Sequence, residues 1–234
     1  MASPVKSGKS GSRGEPEKTR AAILKAALEE FSHEGAAGAR TDQIARRAGV
    51  NKALLYYYFK DKEGLYAAAL EQVFSGLHER VMAILNRDDL PPRDKLLQYV
   101  EAHFDYIASH SVYPRLVQRE FMRSAGRTLS PVASRILERY GKPFYQKLED
   151  LIRDGIKTSD FRPVDPVQTL TSILGTIVFY FISIPAQQVM RAGDPASPER
   201  IAARRAAVLD FVSSALFASP FTPAVASAKE KSKL

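Results

Sequence analysis

The chain has 234 residues and a formal charge of +8, from 34 Lys and Arg against 26 Asp and Glu. It contains no cysteine, which excludes disulfide bonds, thiolate zinc sites, iron–sulfur clusters and a cysteine nucleophile. The basic balance suits a polyanionic partner without identifying one, and a hydrophobic fraction of 45% is ordinary for a protein with an apolar core.

The two ends of the chain differ from the rest in composition. Residues 1–16 consist largely of Lys, Ser, Gly, Pro and Glu, so we predict a disordered basic tail without a secretory signal. Residues 219–234 are predicted to form a flexible tail. Its terminal Ser-Lys-Leu matches a peroxisomal signal, but we interpret so short a match as coincidence. The longest apolar stretch, 173–186, is too short to cross a bilayer.

Between these tails the pattern is helical throughout, and no alternation of polar and apolar residues is long enough to predict a strand. We therefore predict an all-α protein. Gly35 and Gly49 should each end a helix, Pro143 with Gly141 should kink or divide one, and Pro185 should end or bend another. About nine helices are predicted, over 17–34, 41–48, 52–58, 61–86, 92–109, 112–125, 131–158, 166–190 and 197–218.

The segment 40–59 has the pattern of a helix-turn-helix motif. Thr41 is a favourable N-cap, Gly49 makes a tight corner, and Asn51 caps a second short helix. Small alanines let the two helices approach closely. An ordinary helical hairpin in a bundle is the alternative reading. The shortness of the second helix, with Lys52 and two tyrosines on its outer face, favours a helix that enters the major groove of DNA.

Residues 20–66 resemble the DNA-binding head of the TetR family of bacterial transcriptional regulators, with no internal gap. The matching residues are Ile23, Leu24, Ala26, Ala27, Phe31, Gly35, Thr41, Ile44, Ala45, Ala48, Gly49, Val50, Leu55, Tyr56, Phe59, Lys62 and Leu65. The resemblance implies a DNA-binding domain over 17–66 and an effector-binding and dimerisation domain over 67–218. It also implies a bacterial, cytoplasmic regulator that is found at the nucleoid when bound to DNA.

The family pattern implies DNA contacts for several side chains of the head. Lys52 would open the recognition helix and reach base edges, while Tyr56 and Tyr57 would contact phosphates or the groove wall. Lys62 would bind a phosphate together with the backbone at the start of the next helix. The expected DNA-binding residues are Arg40, Thr41, Arg46, Lys52, Ala53, Leu54, Tyr56, Tyr57 and Lys62. Leu54 replaces a residue that is often small or hydroxylated, and either touches a thymine methyl group or turns inward.

The last two predicted helices are expected to form a dimer seam. The helix over 166–190 is apolar on nearly every side and must therefore be covered all round. Pairing it and the final helix with their copies in a second chain gives a four-helix seam, and a plain monomer core is the alternative. The expected seam residues are Leu170, Leu174, Ile177, Phe181, Val208, Val212 and Leu216.

The resemblance also implies an effector pocket among the helices of the C-terminal body. Its candidate lining residues are Tyr106, His110, Arg119, Phe121, Tyr145, Phe179 and Tyr180. For each of them a core or surface position is the simpler interpretation, and Arg119 can also be the partner of an acid such as Glu120. The expected function is repression at a palindromic operator, relieved when a small effector binds. The alternative is an effector-independent regulator or architectural protein controlled by a protein partner.

No residue pattern points to catalysis or to a metal. His103 and His110 lie seven apart on one predicted helix face, which alone is a weak metal signal. A nucleophile elbow, a P-loop and a dinucleotide fingerprint are absent from the sequence. We therefore expect no enzyme activity, no metal and no cofactor. The expected partners are double-stranded DNA, a second copy of the chain and a small-molecule effector, with no membrane.

Overall fold

The computed structural model describes residues 14–124 and 128–218. In these two ranges it contains α-helices, one π-helical segment at Leu137–Gly141 and a single isolated bridge between Phe161 and Phe217. The α-helices are α1 (Gly14–Gly38), α2 (Thr41–Arg47), α3 (Lys52–Phe59), α4 (Lys62–Leu85), α5 (Pro92–Ser109), α6 (Val112–Ser124), α7 (Pro131–Ile136), α8 (Lys142–Lys157), α9 (Pro166–Ile182), α10 (Ile184–Met190) and α11 (Pro198–Leu216). The prediction of an all-α protein is confirmed.

Glycine and proline account for most of the helix breaks, as predicted. Gly49 has a φ of +69° and follows α2, a conformation that residues with a side chain rarely adopt. Gly35 has a φ of +70° and a ψ of 175°, so the regular helix of α1 is interrupted there, and only a short segment up to Gly38 follows. The π-helical segment interrupts the helix predicted over 131–158 just before Pro143, and α9 gives way to α10 just before Pro185.

The start of α1 departs from the prediction. The helix begins at Gly14, so it includes the last residues of the segment 1–16 that was predicted to be disordered. The helical pattern recognised from Thr19 onward therefore continues for another turn toward the N-terminus. The rest of that segment and the tail predicted over 219–234 lie outside the described residues.

One compact unit, here called the head unit, consists of the described residues up to Val73 together with Arg115–Ile136. Its core is formed by the inward faces of α1 to α4 and by α6. The largest fully buried side chains in this unit are Ile23, Phe31, Ile44, Leu55, Leu65, Leu70 and Leu116. The ring of Phe31 packs edge-on against that of Tyr66, with centroids 4.9 Å apart, so α1 is fixed against α4.

The second compact unit, here called the body unit, consists of Phe74–Pro114 and the described residues from Leu137 onward. Helix α5 is central in it and packs against α8, α9 and α11. The ring of Phe161, in the loop between α8 and α9, lies against Gly155 and stacks on Phe217 at a centroid distance of 5.8 Å. The end of α11 is thereby tied to the end of α8.

Most residues predicted to form the dimer seam are buried within the single chain. Six of the seven are buried inside the single chain, and only Leu174 is partly exposed. The buried six are Leu170, Ile177, Phe181, Val208, Val212 and Leu216. These six residues line the core of the body unit, and the opposite sides of α9 and α11 face outward.

Those opposite faces combine small and aromatic side chains. The exposed residues include Ser172, Gly175 and Phe179 on α9, and Ala203, Ala207, Asp210 and Phe211 on α11. By length and composition no single described helix qualifies to cross a membrane, although α9 and α10, bent by 64° at their junction, pass that test as a pair. The apolar residues on the buried face of α9 pack within the body unit.

Candidate nucleic-acid interface

Helices α2 and α3 form a helix-turn-helix within the head unit. The backbone N–H of Val50 donates to the carbonyl of Ala45 at 3.0 Å, which closes the turn around Gly49. The side chain of Asn51 accepts a hydrogen bond from the N–H of Leu54 at 2.7 Å and so caps α3. The turn and the second helix of the motif predicted over 40–59 thus have the local geometry that Gly49 and Asn51 indicate.

Helix α3 is clearly two-sided. Leu55 and Phe59 are buried against the rest of the head unit, and the guanidinium of Arg20 lies 5.2 Å from the Phe59 ring centroid. The opposite side is exposed and carries Lys52, Ala53, Tyr56 and Tyr57, with Tyr57 80% exposed. Leu54 is half-buried at the boundary between the two sides. The outward side therefore offers one cation and two phenol hydroxyls, groups that contact bases and phosphates in DNA complexes.

Lys52 is engaged by an acidic residue across the motif. Its Nζ lies 2.9 Å from Oδ1 of Asp42 on α2, and 6.0 Å from the ring centroid of Tyr56. The hydrogen bond and charge of Lys52 lower the pKa of Asp42, and the same contact raises the pKa of Lys52. Both groups are exposed to solvent, so DNA can compete for the lysine.

Thr41 and Tyr56, both predicted to bind DNA, are brought together by the fold. The Thr41 hydroxyl lies 3.3 Å from the Tyr56 hydroxyl, and Thr41 itself is buried. Thr41 is not the N-cap that the sequence suggests, because Arg40 occupies the cap position and makes no side-chain capping bond. The threonine therefore lies where it positions the Tyr56 hydroxyl.

A buried carboxylate that the sequence analysis missed holds α2 in place. Glu30 on α1 is 4% exposed, accepts the N–H of Arg40 at 3.1 Å and pairs with Arg47 at 3.2 Å. It thus supplies the acceptor that a capping side chain would otherwise provide. Arg46 is exposed and forms no salt bridge among the described residues. In the sequence, the position of Glu30 next to the core residue Phe31 was a sign that this carboxylate could be buried. It does not identify Arg40 and Arg47 as its partners.

Lys62 lies at the start of α4, as predicted, and already has a protein partner. Its Nζ donates to the carbonyl of Ala37 at 2.8 Å, which links α4 to the end of α1. Oδ1 of Asp61 accepts the N–H of Gly64 at 2.7 Å, so Asp61 caps α4. An exposed ammonium group beside a helix N-terminus is a favourable place for a phosphate.

The candidate pocket residues do not gather at one place. Tyr106 and His110 stack with ring centroids 4.1 Å apart in the body unit, and Tyr145, also in that unit, is partly exposed. Phe179 is 68% exposed on the outer face of α9. The Tyr180 hydroxyl donates to the carbonyl of Pro195 at 2.6 Å.

The other two candidates belong to α6 in the head unit. Arg119 donates from Nε to the carbonyl of Ser32 at 2.8 Å, and a second guanidinium nitrogen bonds the carbonyl of His33. It therefore binds the end of α1, and the alternative partner considered from sequence, Glu120, instead accepts a hydrogen bond from Tyr66. The side chain of Phe121 lies outside the described ones.

The body unit contains a buried histidine, His103, with one ring nitrogen left unpaired by the described residues. His103 on α5 is 2% exposed, and its Nδ1 lies 2.9 Å from the Tyr99 hydroxyl. The ring of Phe144 packs edge-on against it at 6.1 Å. Burial lowers the pKa of His103 to about 4, so the ring is neutral at pH 7. Its Nε2 is buried without a hydrogen-bond partner in the described structure.

The weak metal signal in the sequence came from the pair His103 and His110. The described residues contain no group of three His, Cys, Asp or Glu side chains able to hold a metal ion. His110, seven residues further on, directs its Nδ1 to the carbonyl of Tyr106 at 2.8 Å. Tyr99 and Tyr113 are also buried in the body unit, and burial raises the pKa of both phenols above the ordinary value.

The fold and the outward face of α3 define a helix-turn-helix DNA-binding protein, and two family models agree. Residues 23–69 match bacterial regulatory proteins of the tetR family, and residues 92–212, more than half of the chain, match the tetracyclin repressor-like C-terminal domain. The chain belongs to the TetR family. It is a transcriptional regulator of a non-enzymatic family.

Named relatives support the assignment over most of the chain. The sequence is 30% identical over 159 residues to the transcriptional regulator RutR of Escherichia coli K12, covering 68% of this chain and 72% of that protein. The crystal structure of the regulator SCO4942 from Streptomyces coelicolor has a TM-score of 0.64 and 30% identity, covering 85% of this chain and 98% of that one. A regulator from Saccharomonospora viridis in complex with choline has a TM-score of 0.67 and 20% identity, over 86% and 98%, which shows a shared fold.

Proposed function

We propose that the protein is a dimeric, cytoplasmic repressor that binds a palindromic operator and leaves it when a small effector binds. The observation that carries the DNA-binding part is the outward side of α3. It presents Lys52, Tyr56 and Tyr57 on a slim helix that is held by a capped turn. Such a helix fits a major groove about 12 Å wide.

Within this interface the residues divide into two roles. Lys52 and the adjacent Ala53 and Leu54 lie at the first turn of α3, which in helix-turn-helix proteins approaches the base edges. Arg40 and Arg46 of the motif and Lys62 after it would bind phosphates, with Thr41 orienting Tyr56. Base contacts set the sequence preference, whereas phosphate contacts set the overall affinity.

Replacement of two lysines tests this division. Binding is measured by fluorescence anisotropy on a duplex selected from a random library, over a range of salt concentrations. Lys62→Ala should weaken binding to all sequences alike and lower the slope of log affinity against log salt by about one. Lys52→Ala should mainly reduce discrimination between the selected duplex and its single-base variants. Lys147→Ala, an exposed lysine of the body unit, is the matched control.

If Lys52→Ala left both affinity and base preference unchanged, α3 would not be the recognition helix. If Lys147→Ala weakened binding as much as Lys62→Ala, the basic charge of the whole chain would explain the affinity, and the proposed interface would be wrong.

The dimer is proposed to form through the outer faces of α9 and α11. Gly175, Ala203 and Ala207 are small enough for helices of two chains to approach closely, and Phe179 and Phe211 are exposed apolar side chains beside them. An exposed patch of this kind marks a protein interface more often than free surface. In a two-fold dimer the two heads would enter successive major grooves, about 34–36 Å apart.

The effector is proposed to bind in the body unit beside Tyr99 and His103. The support is the buried Nε2 of His103, since an unpaired buried polar atom is costly and a ligand can satisfy it. The surrounding rings, including Phe144, suit an uncharged ligand with an aromatic or aliphatic part and one hydrogen-bonding group. The choline complex of the Saccharomonospora viridis protein shows that this fold holds small molecules.

A thermal-shift screen of neutral metabolites tests this proposal, because a ligand that binds only the folded protein raises the melting temperature. A true effector should also lower operator affinity, and His103→Phe should remove both effects while leaving DNA binding of the free protein intact. An operator affinity that no ligand changes would favour regulation by a protein partner.

Helix α6 supplies a physical route by which such an effector would act. Its first residues belong to the body unit, and from Arg115 onward it belongs to the head unit. There Arg119 holds the end of α1, and the buried Glu120 accepts a hydrogen bond from Tyr66 on α4. A ligand that favours another position of α6 would therefore alter the support of the DNA-binding motif.

A further inference from the structure

A second site of distinct chemistry lies in the body unit, where the loop after α10 meets the start of α11. It is a cavity of about 180 Å³. Its lining residues are Tyr180, Gln187, Arg191, Ala192, Gly193, Pro195, Arg200, Ala203 and Arg204. The cavity shares no residue with the DNA-binding motif or with the cluster around His103.

Three arginines line this one small space. Arg191 and Arg200 are exposed at its rim, and Arg204 is half-buried. No Asp or Glu pairs with any of the three among the described residues. Three guanidinium groups around one cavity repel each other, so this arrangement attracts an anion.

The next arginine along α11 shows the contrast. Arg205 binds Asp105 at 2.9 Å and Glu101 at 3.3 Å, as expected of an arginine that serves to join two helices. Arg204 lies one position earlier, and its Cζ is 5.6 Å from the centroid of the Tyr180 ring. One terminal nitrogen of Arg204 donates to the carbonyl of Thr176 at 2.7 Å. Its positive charge is left without a negative partner in the described chain.

The Nε of Arg204 adds an independent observation. It is one of two buried side-chain nitrogens for which the described structure offers no hydrogen-bond partner. A buried donor of a charged group is costly to leave unpaired, and an oxygen of a bound anion would satisfy it. The planar guanidinium fork matches the geometry of carboxylate and phosphate oxygens.

The walls of the cavity are held in place before any ligand arrives. The Tyr180 hydroxyl bonds the carbonyl of Pro195 at 2.6 Å, and Arg200 bonds the carbonyl of Ala192 at 3.3 Å. The Gln187 amide donates to the Tyr180 carbonyl at 3.1 Å and to the Ser183 hydroxyl at 2.9 Å. A preorganised site loses less conformational freedom on binding than a mobile one.

We propose that this cavity binds the carboxylate or phosphate group of a small ligand, with Arg200 and Arg204 as its principal contacts and Arg191 at the rim. The volume corresponds to roughly six water molecules at about 30 Å³ each, so it accommodates an anionic group with a short body. Pockets for larger organic ligands are typically about 300–1,000 Å³. The protein would thus carry an anion site in addition to its proposed neutral effector site.

Isothermal titration calorimetry of the full chain tests the proposal with two probes, inorganic phosphate and succinate, at ionic strength held constant with chloride. The wild-type protein should bind at least one probe, and which one binds distinguishes phosphate from carboxylate chemistry. Arg204→Gln should weaken binding by about tenfold or more, because a charge-assisted pair is lost. Arg80→Gln, an exposed arginine on α4 in the same unit, is the control and should bind as wild type does.

Because Arg204 also bonds Thr176, its replacement by glutamine risks unfolding the body unit. The double variant Arg191→Gln/Arg200→Gln removes two charges without touching that bond and should also weaken binding by about tenfold. The proposal is overturned if neither probe binds beyond chloride, or if this double variant binds as tightly as Arg80→Gln. DNA affinity of the double variant should remain at the wild-type level, which separates this result from a failure of the DNA-binding proposal.

Discussion

At the scale of single residues, the contact between Lys52 and Asp42 bears on the proposed DNA interface. The lysine is held at 2.9 Å by a carboxylate on the same exposed surface. A duplex must therefore displace Asp42 or accept a negative charge close to its phosphates. We therefore expect Asp42 to reduce non-specific affinity more than base preference, because repulsion of phosphates acts on every sequence.

Asp42→Asn should raise DNA affinity severalfold for all duplexes, with the preference among single-base variants largely retained. Anisotropy titrations at fixed salt measure this change. Asp150→Asn, an exposed acid of α8 that pairs with Arg153, should leave affinity unchanged. Weaker binding by Asp42→Asn would show that the carboxylate orients Lys52 for base contact.

His103 makes the stability of the body unit depend on pH. Burial lowers its pKa from 6.5 to about 4, so between these values the unfolded chain binds more protons than the folded one. The free energy of unfolding should therefore fall as the pH drops from about 7 to 4, by about 3 kcal/mol from this residue.

Urea unfolding of the wild type and of His103→Gln between pH 4.5 and 7.5 checks this expectation. Glutamine can keep a hydrogen bond with the Tyr99 hydroxyl but has no proton to gain, so its profile should be flatter over this range. Parallel profiles would mean that His103 is not the group responsible.

At the scale of secondary-structure elements, the ends of α8 and α11 depend on one close contact. A Cβ atom added to Gly155 would lie 2.1 Å from the Phe161 ring, and that ring also stacks on Phe217. The ring is fully buried and has no room to move aside. The glycine is required here by packing.

Gly155→Ala should lower the free energy of unfolding by about 2 kcal/mol, as overpacking of a core does. Thermal or urea unfolding measures this loss. Gly38→Ala serves as control, since its added Cβ would meet only Glu34 at an ordinary 3.5 Å. Equal stability of the two variants would show that Phe161 can shift without cost.

The helices themselves were largely predictable, and the reasons are local. Gly49, Asn51 and Asp61 act through backbone groups within a few residues, so their roles as helix ends and caps follow from the sequence. Which side of α9 faces inward could not be predicted from the sequence. A helix that is apolar all round has no preferred face by periodicity, and packing against α5 decided which residues became core.

At the scale of the whole molecule, the proposed dimer can be tested by substitution on the outer faces of α9 and α11. Phe211 is 56% exposed there. Phe211→Glu should convert the dimer into a monomer in sedimentation velocity experiments, because a charge cannot be buried in an apolar seam without a partner. Operator affinity should fall with it, since each head would then bind one half-site alone.

Met122→Glu is the control for that experiment, because Met122 is an equally apolar exposed side chain in the head unit. It should remain dimeric. A Phe211→Glu protein that stayed dimeric would place the interface elsewhere on the body unit.

The sequence alone determined the all-α fold, the helix-turn-helix motif and the family, because these depend on periodicity, caps and a contiguous match around α3. The outward position of Lys52, Tyr56 and Tyr57 follows from helical spacing in the same way. Only the tertiary structure decided the partners of these residues. Glu30 reaches Arg47 from another helix, and Asp42 reaches Lys52 across the turn. Burial of His103, the arginine cavity beside α11 and the free faces of α9 and α11 arise from contacts between segments far apart in sequence, which no local pattern encodes.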